Sequence, residues 1–249
     1  MSLINGKLTA FTFSSADVPF RSSRVNVTYG KVEVTDNSSD NVEQQTTRYT
    51  AEIELSGVVY LSTAKQIGKG LKLTIDSVDY KTTALSFEET FGEIPIAHGS
   101  IASDATELAV ALSERKMTAE FWQEDTVAEP TVGAAAEAAT LLFATGVSAA
   151  GDLILDSKNV EGEIKGNQKV SVSGFFNGTV TQTSIGLTAG TSATTTLTLA
   201  EGTATDKEVT GTAILVSKKI SATVDGDVNY TYTFKFTGAI TENIKTMTP

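Results

Sequence analysis

The stretch Asn229-Tyr230-Thr231-Tyr232-Thr233-Phe234-Lys235-Phe236-Thr237-Gly238-Ala239-Ile240-Thr241 decides the fold class of this chain. Its aromatic residues alternate with Thr and Lys, the period-two pattern of a strand with one apolar and one polar face. Asp225-Gly226 precedes it and reads as a tight hairpin turn. Working outward, Val170 and Val172 begin the same alternation after Gly166-Asn167. Near the other end, Val25, Val27 and Tyr29 alternate with Asn26 and Thr28, and Val32 and Val34 with Lys31 and Glu33. Thr makes up about 15% of the chain and, with Val, Ile, Phe and Tyr, favours strands over helices.

These strands belong to two internal repeats. A shift of 62 places Gly6-Lys7 over Gly68-Lys69, Thr12 over Thr74, Ser15 over Ser77, Asp17 over Asp79, and Thr28-Tyr29-Gly30 over Thr90-Phe91-Gly92. Seven of the 29 pairs from Gly6 to Val34 are identical, and many others exchange one apolar residue for another. A shift of 60 superposes Ile154-Leu155-Asp156-Ser157-Lys158 on Ile214-Leu215-Val216-Ser217-Lys218, and continues through Phe176 over Phe236 and Gly178 over Gly238. Self-similarity at fixed spacing is read before local structure, because it sets the organisation of the fold.

The chain therefore runs as a first unit (6–60), its copy (68–125), a second unit (134–182) and its copy (194–243). Two domains follow as an expectation, 1–125 and 131–249, or an interleaving of all four units into one body. The polar run Glu124–Gly133, with Pro130, is the candidate boundary, with an interior loop as the alternative reading. The fold class expected is all-β, a sandwich or barrel, internally duplicated, with one to three short helices. Helices are expected over Ala134–Ala144, which is Ala-rich, and over Thr106–Lys116. Asp40-Asn41-Val42-Glu43 and Asp104-Ala105-Thr106-Glu107 both read as acidic N-caps with Glu at the third helical position.

Composition narrows the chemistry. With no Cys and one His, the chain has no thiolate nucleophile, no Cys-based metal site and no multi-His cluster. Its 19 Lys and Arg against 30 Asp and Glu give a formal charge of −11, against a tight grip on nucleic acid. Nothing resembles a signal peptide, and no apolar run approaches the ~18 residues of a membrane span. His98 has no nucleophile elbow around it. Glu88-Glu89 and Glu124-Asp125 are adjacent pairs, which point to opposite faces of a strand and cannot flank one glycosidic bond. Asp225-Gly226-Asp227 lacks the distal Glu of a calcium loop. Trp122 beside Phe121 reads as core or interface more readily than as a sugar platform. No catalytic set, metal site or cofactor site is expected, and the chain is not expected to be an enzyme.

The closing hairpin, Asp225 to Thr241, resembles the final hairpin of tailed-bacteriophage major tail (tail tube) proteins, which end in an alternating strand followed by Gly-Ala-(aliphatic)-Thr. Val32-Glu33-Val34-Thr35-Asp36, a polar loop, and Thr50-Ala51-Glu52-Ile53-Glu54-Leu55-Ser56-Gly57 are similar to that family's N-terminal half. The resemblance covers about a third of the chain and rests on pattern rather than an invariant motif. It implies a structural virion protein, made in the host cytoplasm, that assembles with itself into stacked trimeric or hexameric rings and with other tail proteins. Many members carry one copy of each half. The duplication here matches members with duplicated tube domains, which form trimers with pseudo-sixfold symmetry.

DNA has to pass through such a tube without adhering. Three chains carry 3 × (−11) = −33 and six carry −66, and acids on the lumen repel phosphate within a Debye length of about 8 Å. Glu33, Glu52, Glu54 and Glu120 are the expected lumen-facing acids, lying on repeated strands beside Val34, Ile53 and Phe121; ordinary solvated strand faces are the plainer alternative. Two other functions fit the same features: a capsid decoration or head–tail connector protein, and a bacterial surface adhesin or carbohydrate-binding module.

Overall fold

A computed structural model describes residues 7–33, 44–61, 64–96, 107–162, 168–201 and 205–246. The described chain is all-β, without helix. The strands are β1 (Lys7–Phe13), β2 (Ala16–Asp17), β3 (Ser22–Glu33), β4 (Gln44–Val58), β5 (Tyr60–Leu61), β6 (Ala64–Lys65), β7 (Lys72–Ile75) and β8 (Val78–Ile96). They continue as β9 (Glu107–Trp122), β10 (Glu137–Ala144), β11 (Val147–Glu161), β12 (Lys169–Thr183), β13 (Ser192–Glu201), β14 (Thr205–Thr223) and β15 (Asn229–Thr246).

Both expected helices are strands. Most of Ala134–Ala144 forms β10, where Ala139, Leu141 and Phe143 are buried and Thr140 and Leu142 half-buried. The alanines had masked a period of two, and pairing to β7 and β11 on both edges supplies more hydrogen bonds than an isolated helical turn. Glu107–Lys116 lies in β9, laddered to β8 from Ile96↔Glu107 inward. Asp40–Glu43, Asp104–Thr106, His98 and Gly166-Asn167 lie outside the described residues.

The repeats recur in the backbone. Ser14 and Ser15 (φ 54 and 63) and, 62 residues on, Asp76 and Ser77 (φ 45 and 68) turn the hairpins that follow β1 and β7. Two successive residues at positive φ match the right-handed twist of the flanking strands. The β11–β12 ladder slips between Leu155 and Ser157, and β14–β15 between Leu215 and Ser217, 60 residues later. A second slip pairs Gly151 with Gly211 in the same way, opposite Gly178 (φ 91) and Gly238 (φ 80), where the left-handed conformation favours glycine.

The ladders link these units in a nested order. β1 pairs β13 and β4 pairs β15, joining the first unit to the last. β7 pairs β10 and β9 pairs β12, joining the two middle units. Registers correspond: Ile53 faces Phe234 as Met117 faces Gly174, and Phe11 faces Leu197 as Leu73 faces Leu141. In the inner pair the ladders β8–β7–β10–β11–β12–β9–β8 close into a six-stranded barrel. In the outer pair β2 and β3 together take the place of β8, broken near Pro19, which has no N–H to give a ladder.

Packing follows the alternation. Phe234 meets Phe11 and Phe13, with centroids 4.9 and 5.1 Å apart, so β15 folds over β1. Phe87 meets Phe176 at 5.9 Å, and Tyr80 meets Phe121 at 5.0 Å. Each such ring contributes about 1.5–3 kcal/mol of burial.

Candidate assembly surface

One sheet runs through the whole chain in the order β3–β4–β15–β14–β8–β9–β12–β11. At about 4.8 Å per strand it is close to 40 Å wide. The seam between the two nested bodies is the β14–β8 ladder, from Ser217↔Thr90 to Thr223↔Ala84. β14 reaches it because its bulge at Leu215–Ser217 redirects it: up to Ile214 it pairs β13, and from Ser217 it pairs β8.

One face of this sheet packs on the core through Ile53, Leu55, Phe234, Leu215, Ile220, Phe87, Met117 and Val172. The other is mostly hydroxyls and charge, apart from Phe175, exposed opposite Lys116, and Ile214, buried opposite Lys235 with Leu108 and Val216. Ser86 bonds Thr118 at 2.7 Å, Ser157 bonds Ser173 at 2.7 Å, and Ser22 bonds Ser56. Lys235 Nζ lies 3.7 Å from Glu52 and 2.7 Å from Glu93. Lys169 lies 2.8 Å from Glu120, Lys116 2.9 Å from Glu114, and Lys219 3.9 Å from Glu88. The carboxylates beside Lys116 and Lys169 raise the pKa of each, through hydrogen bonds with Glu114 and Glu120 respectively. Pairs this exposed contribute little to stability, but they keep lysine heads engaged on the surface.

The structure brings three of the four expected acids onto this one face. Glu52 and Glu54 alternate with buried Ala51, Ile53 and Leu55 on β4, and Glu120 alternates with buried Ala119 and Phe121 on β9. Glu33 ends β3 opposite Gln44; its side chain is outside the described set. Sequence reading missed the lysines interleaved with these acids. They were visible as Lys235 and Lys169 in their strands, but cross-strand pairing depends on register, which the sequence does not carry.

The seam also holds a buried polar cluster. Glu89 and Lys218 face each other in the ladder with 3.7 Å between Oε2 and Nζ. Arg115 Nε donates to Glu89 at 2.7 Å, and its Nη1 donates to the Gly178 carbonyl at 2.9 Å. Gln182 Nε2 donates to Glu89 at 3.0 Å, while Lys218 donates to Gln182 Oε1 and, at 2.9 Å, to the Leu187 carbonyl. Burial lowers the Lys218 pKa, against the opposing pull of Glu89. The arrangement ties β14, β8, β9 and β12 together at the junction of the two nested bodies.

The other residues singled out in the sequence lie at turns and on strand faces. Asp225-Gly226 is the hairpin turn before β15, with Asp225 at φ 57. Asp227 beside it lies 2.6 Å from Lys65 and 3.0 Å from Arg21, which hold its carboxyl below the usual range, the Lys65 hydrogen bond most of all. Glu88 and Glu89 point to opposite faces, one to Lys219 and one into the cluster. Glu124 binds Lys81 at 3.0 Å, and Trp122 is 49% exposed while Phe121 is buried. An apolar cavity of about 200 Å³ opens at the break between β2 and β3, against Val58, Tyr230 and Tyr232.

Comparison with protein-family models, with curated proteins and with solved structures gave no match to this chain.

Proposed function

We propose that this chain is a structural subunit that assembles with copies of itself into stacked rings, forming the tail tube of a tailed bacteriophage through which DNA passes. The reading rests on the sequence resemblance of the closing hairpin and the N-terminal strands. The observation that carries it furthest is the eight-stranded sheet, with one largely polar face and, among the described residues, an edge open to a further strand at each end, β3 on one side and the Ser157–Glu161 end of β11 on the other. A sheet with two open edges joins head to tail, and a closed ring of such sheets removes every edge. The polar face then lines the lumen, where carboxylates repel phosphate and the lysines, already held by Glu52, Glu93, Glu114 and Glu120, are drawn away from it.

Electron microscopy of the purified protein at low and high concentration, beside light scattering for mass, tests this. Rings or hollow filaments of regular repeat are expected. A monomer at every concentration, binding an intact capsid lattice or a glycan instead, overturns it in favour of a decoration protein or a carbohydrate-binding module.

A further inference from the structure

The β14–β8 seam occurs once in the chain, yet the repeats supply both of its edges twice. Subtracting 62 carries Phe87 to Val25 on β3, and subtracting 60 carries Ile220 to Val160 on β11. Among the described residues β3 pairs only with β4, and β11 from Ser157 to Glu161 pairs only with β12. Burial marks the difference. Phe87 and Ile220 are 0% exposed in the seam, whereas Val25 and Val160 are 42% and 41% exposed at the two ends of the sheet.

We infer that β11 of one copy pairs antiparallel with β3 of the next, in the register of the internal seam. The occupant of each open edge is thus a second copy of this chain, which names the contact for the ring-forming reading and rests on it. Transferring the internal pairs Phe87↔Ile220, Ser86↔Ser221 and Glu88↔Lys219 gives Val25↔Val160, Arg24↔Glu161 and Asn26↔Asn159 between copies. The transferred pairs are chemically matched. The two valines lie on the core side, opposite Ile53 and Val170 in their own ladders. Arg24 and Glu161 lie on the polar side, opposite Glu54 and Lys169, so unlike charges meet across the join; Glu161 also accepts from Asn159 at 3.1 Å. Lys158 reaches back to Glu129 at 2.7 Å, ahead of β10, as its repeat equivalent Lys218 reaches back to Leu187, ahead of β13, in the seam that is already made.

Because the chain has no Cys, disulfide trapping reads this contact directly. Residues opposed in an antiparallel ladder have Cα atoms about 4.5–5.5 Å apart, within disulfide reach. An Arg24→Cys chain and a Glu161→Cys chain, mixed and oxidised, are expected to give a covalent dimer that neither gives alone. The double variant is expected to give covalent oligomers that stop at the ring size. Val25→Cys with Val160→Cys is a second pair for the same experiment. Independently, Arg24→Glu is expected to raise the assembly midpoint concentration about tenfold, or about 1.4 kcal/mol, and Glu161→Arg in the same chain to restore it. Rings in the microscope with no disulfide in either mixture, or with dimers of Arg24→Cys alone, overturn this junction and leave the tube reading standing. Trapped head-to-tail oligomers that never stack into tubes sustain the junction and overturn the tube. A chain that neither assembles nor cross-links overturns both.

Discussion

Lys218 and Glu89 stand opposite each other across the β14–β8 seam, 3.7 Å apart, with side chains 2% and 5% exposed. They sit where the two nested bodies join, and Arg115 and Gln182 complete their hydrogen bonding. Glu89→Ala removes the one carboxylate in this group and leaves the buried Lys218 ammonium beside the half-buried Arg115 with no counter-charge. The expected loss is about 3 kcal/mol in denaturant unfolding. Adding Lys218→Met is expected to recover most of it, because the uncompensated ammonium goes with it. Equal stability of the single and double variants contradicts this account.

Phe87 and Val25 occupy one repeat position in two environments, and their truncations separate accordingly. Phe87→Ala is expected to cost about 4 kcal/mol, because the ring is fully buried against Phe176. Val25→Ala in the unassembled protein is expected to cost about 0.5 kcal/mol or less, as at other exposed positions. Thermal unfolding of both variants below the assembly concentration makes the comparison.

Tyr230 stacks on Tyr232 at 4.4 Å, and its hydroxyl is buried without a hydrogen-bond partner among the described residues. Burial pushes its pKa up to about 12. Above the unfolded value of about 10 the unfolded chain loses this proton while the folded chain keeps it. Ionisation of this group therefore costs no stability below about pH 10, and stability falls as pH climbs from there toward the folded value. Tyr230→Phe is expected to be neutral or mildly stabilising at pH 7 and to flatten the alkaline fall in stability. Unfolding curves at neutral and alkaline pH read both effects.

The carboxylates of the polar face are expected to govern adhesion to DNA. Glu52→Gln, Glu54→Gln and Glu120→Gln together release Lys235 from one partner and Lys169 from its only ion-pair carboxylate in this set. Assembled triple variant is expected to retain duplex DNA at low salt where the parent does not. The difference is expected to fade near 0.15 M salt, where the Debye length is about 8 Å. Equal retention at all salt concentrations removes these acids from the lumen.

Much of the architecture was legible because duplication repeats its own errors and its own signals. The 62- and 60-residue shifts superpose stretches that share structure: paired positive-φ turns at Ser14-Ser15 and Asp76-Ser77, and paired bulges after Leu155 and Leu215. The aromatic alternation of Tyr230 to Phe236 placed β15 correctly. The Ala-rich run Ala134–Ala144 misled because helix propensity is local, while the strand state of its larger part is imposed by β7 and β11 on either side. Of the candidate surface, Glu52, Glu54 and Glu120 were found by alternation alone. Their lysine partners and the two open edges were hidden, since register and neighbour order are properties of the assembled sheet.

The nesting of the units also sets an order of events during synthesis. β7 to β12 form a barrel from strands close together in the chain, so the inner body can complete itself while later residues are still being added. β1 and β4 pair locally with β2 and β3, but their second edges find partners only in β13 and β15, close to 190 residues later. Until then Phe11, Phe13 and Ile53 have no Phe234 to cover them. The strands of the first unit are thus the last to be closed, and the emerging chain carries an open apolar sheet until β13 and β15 have been made.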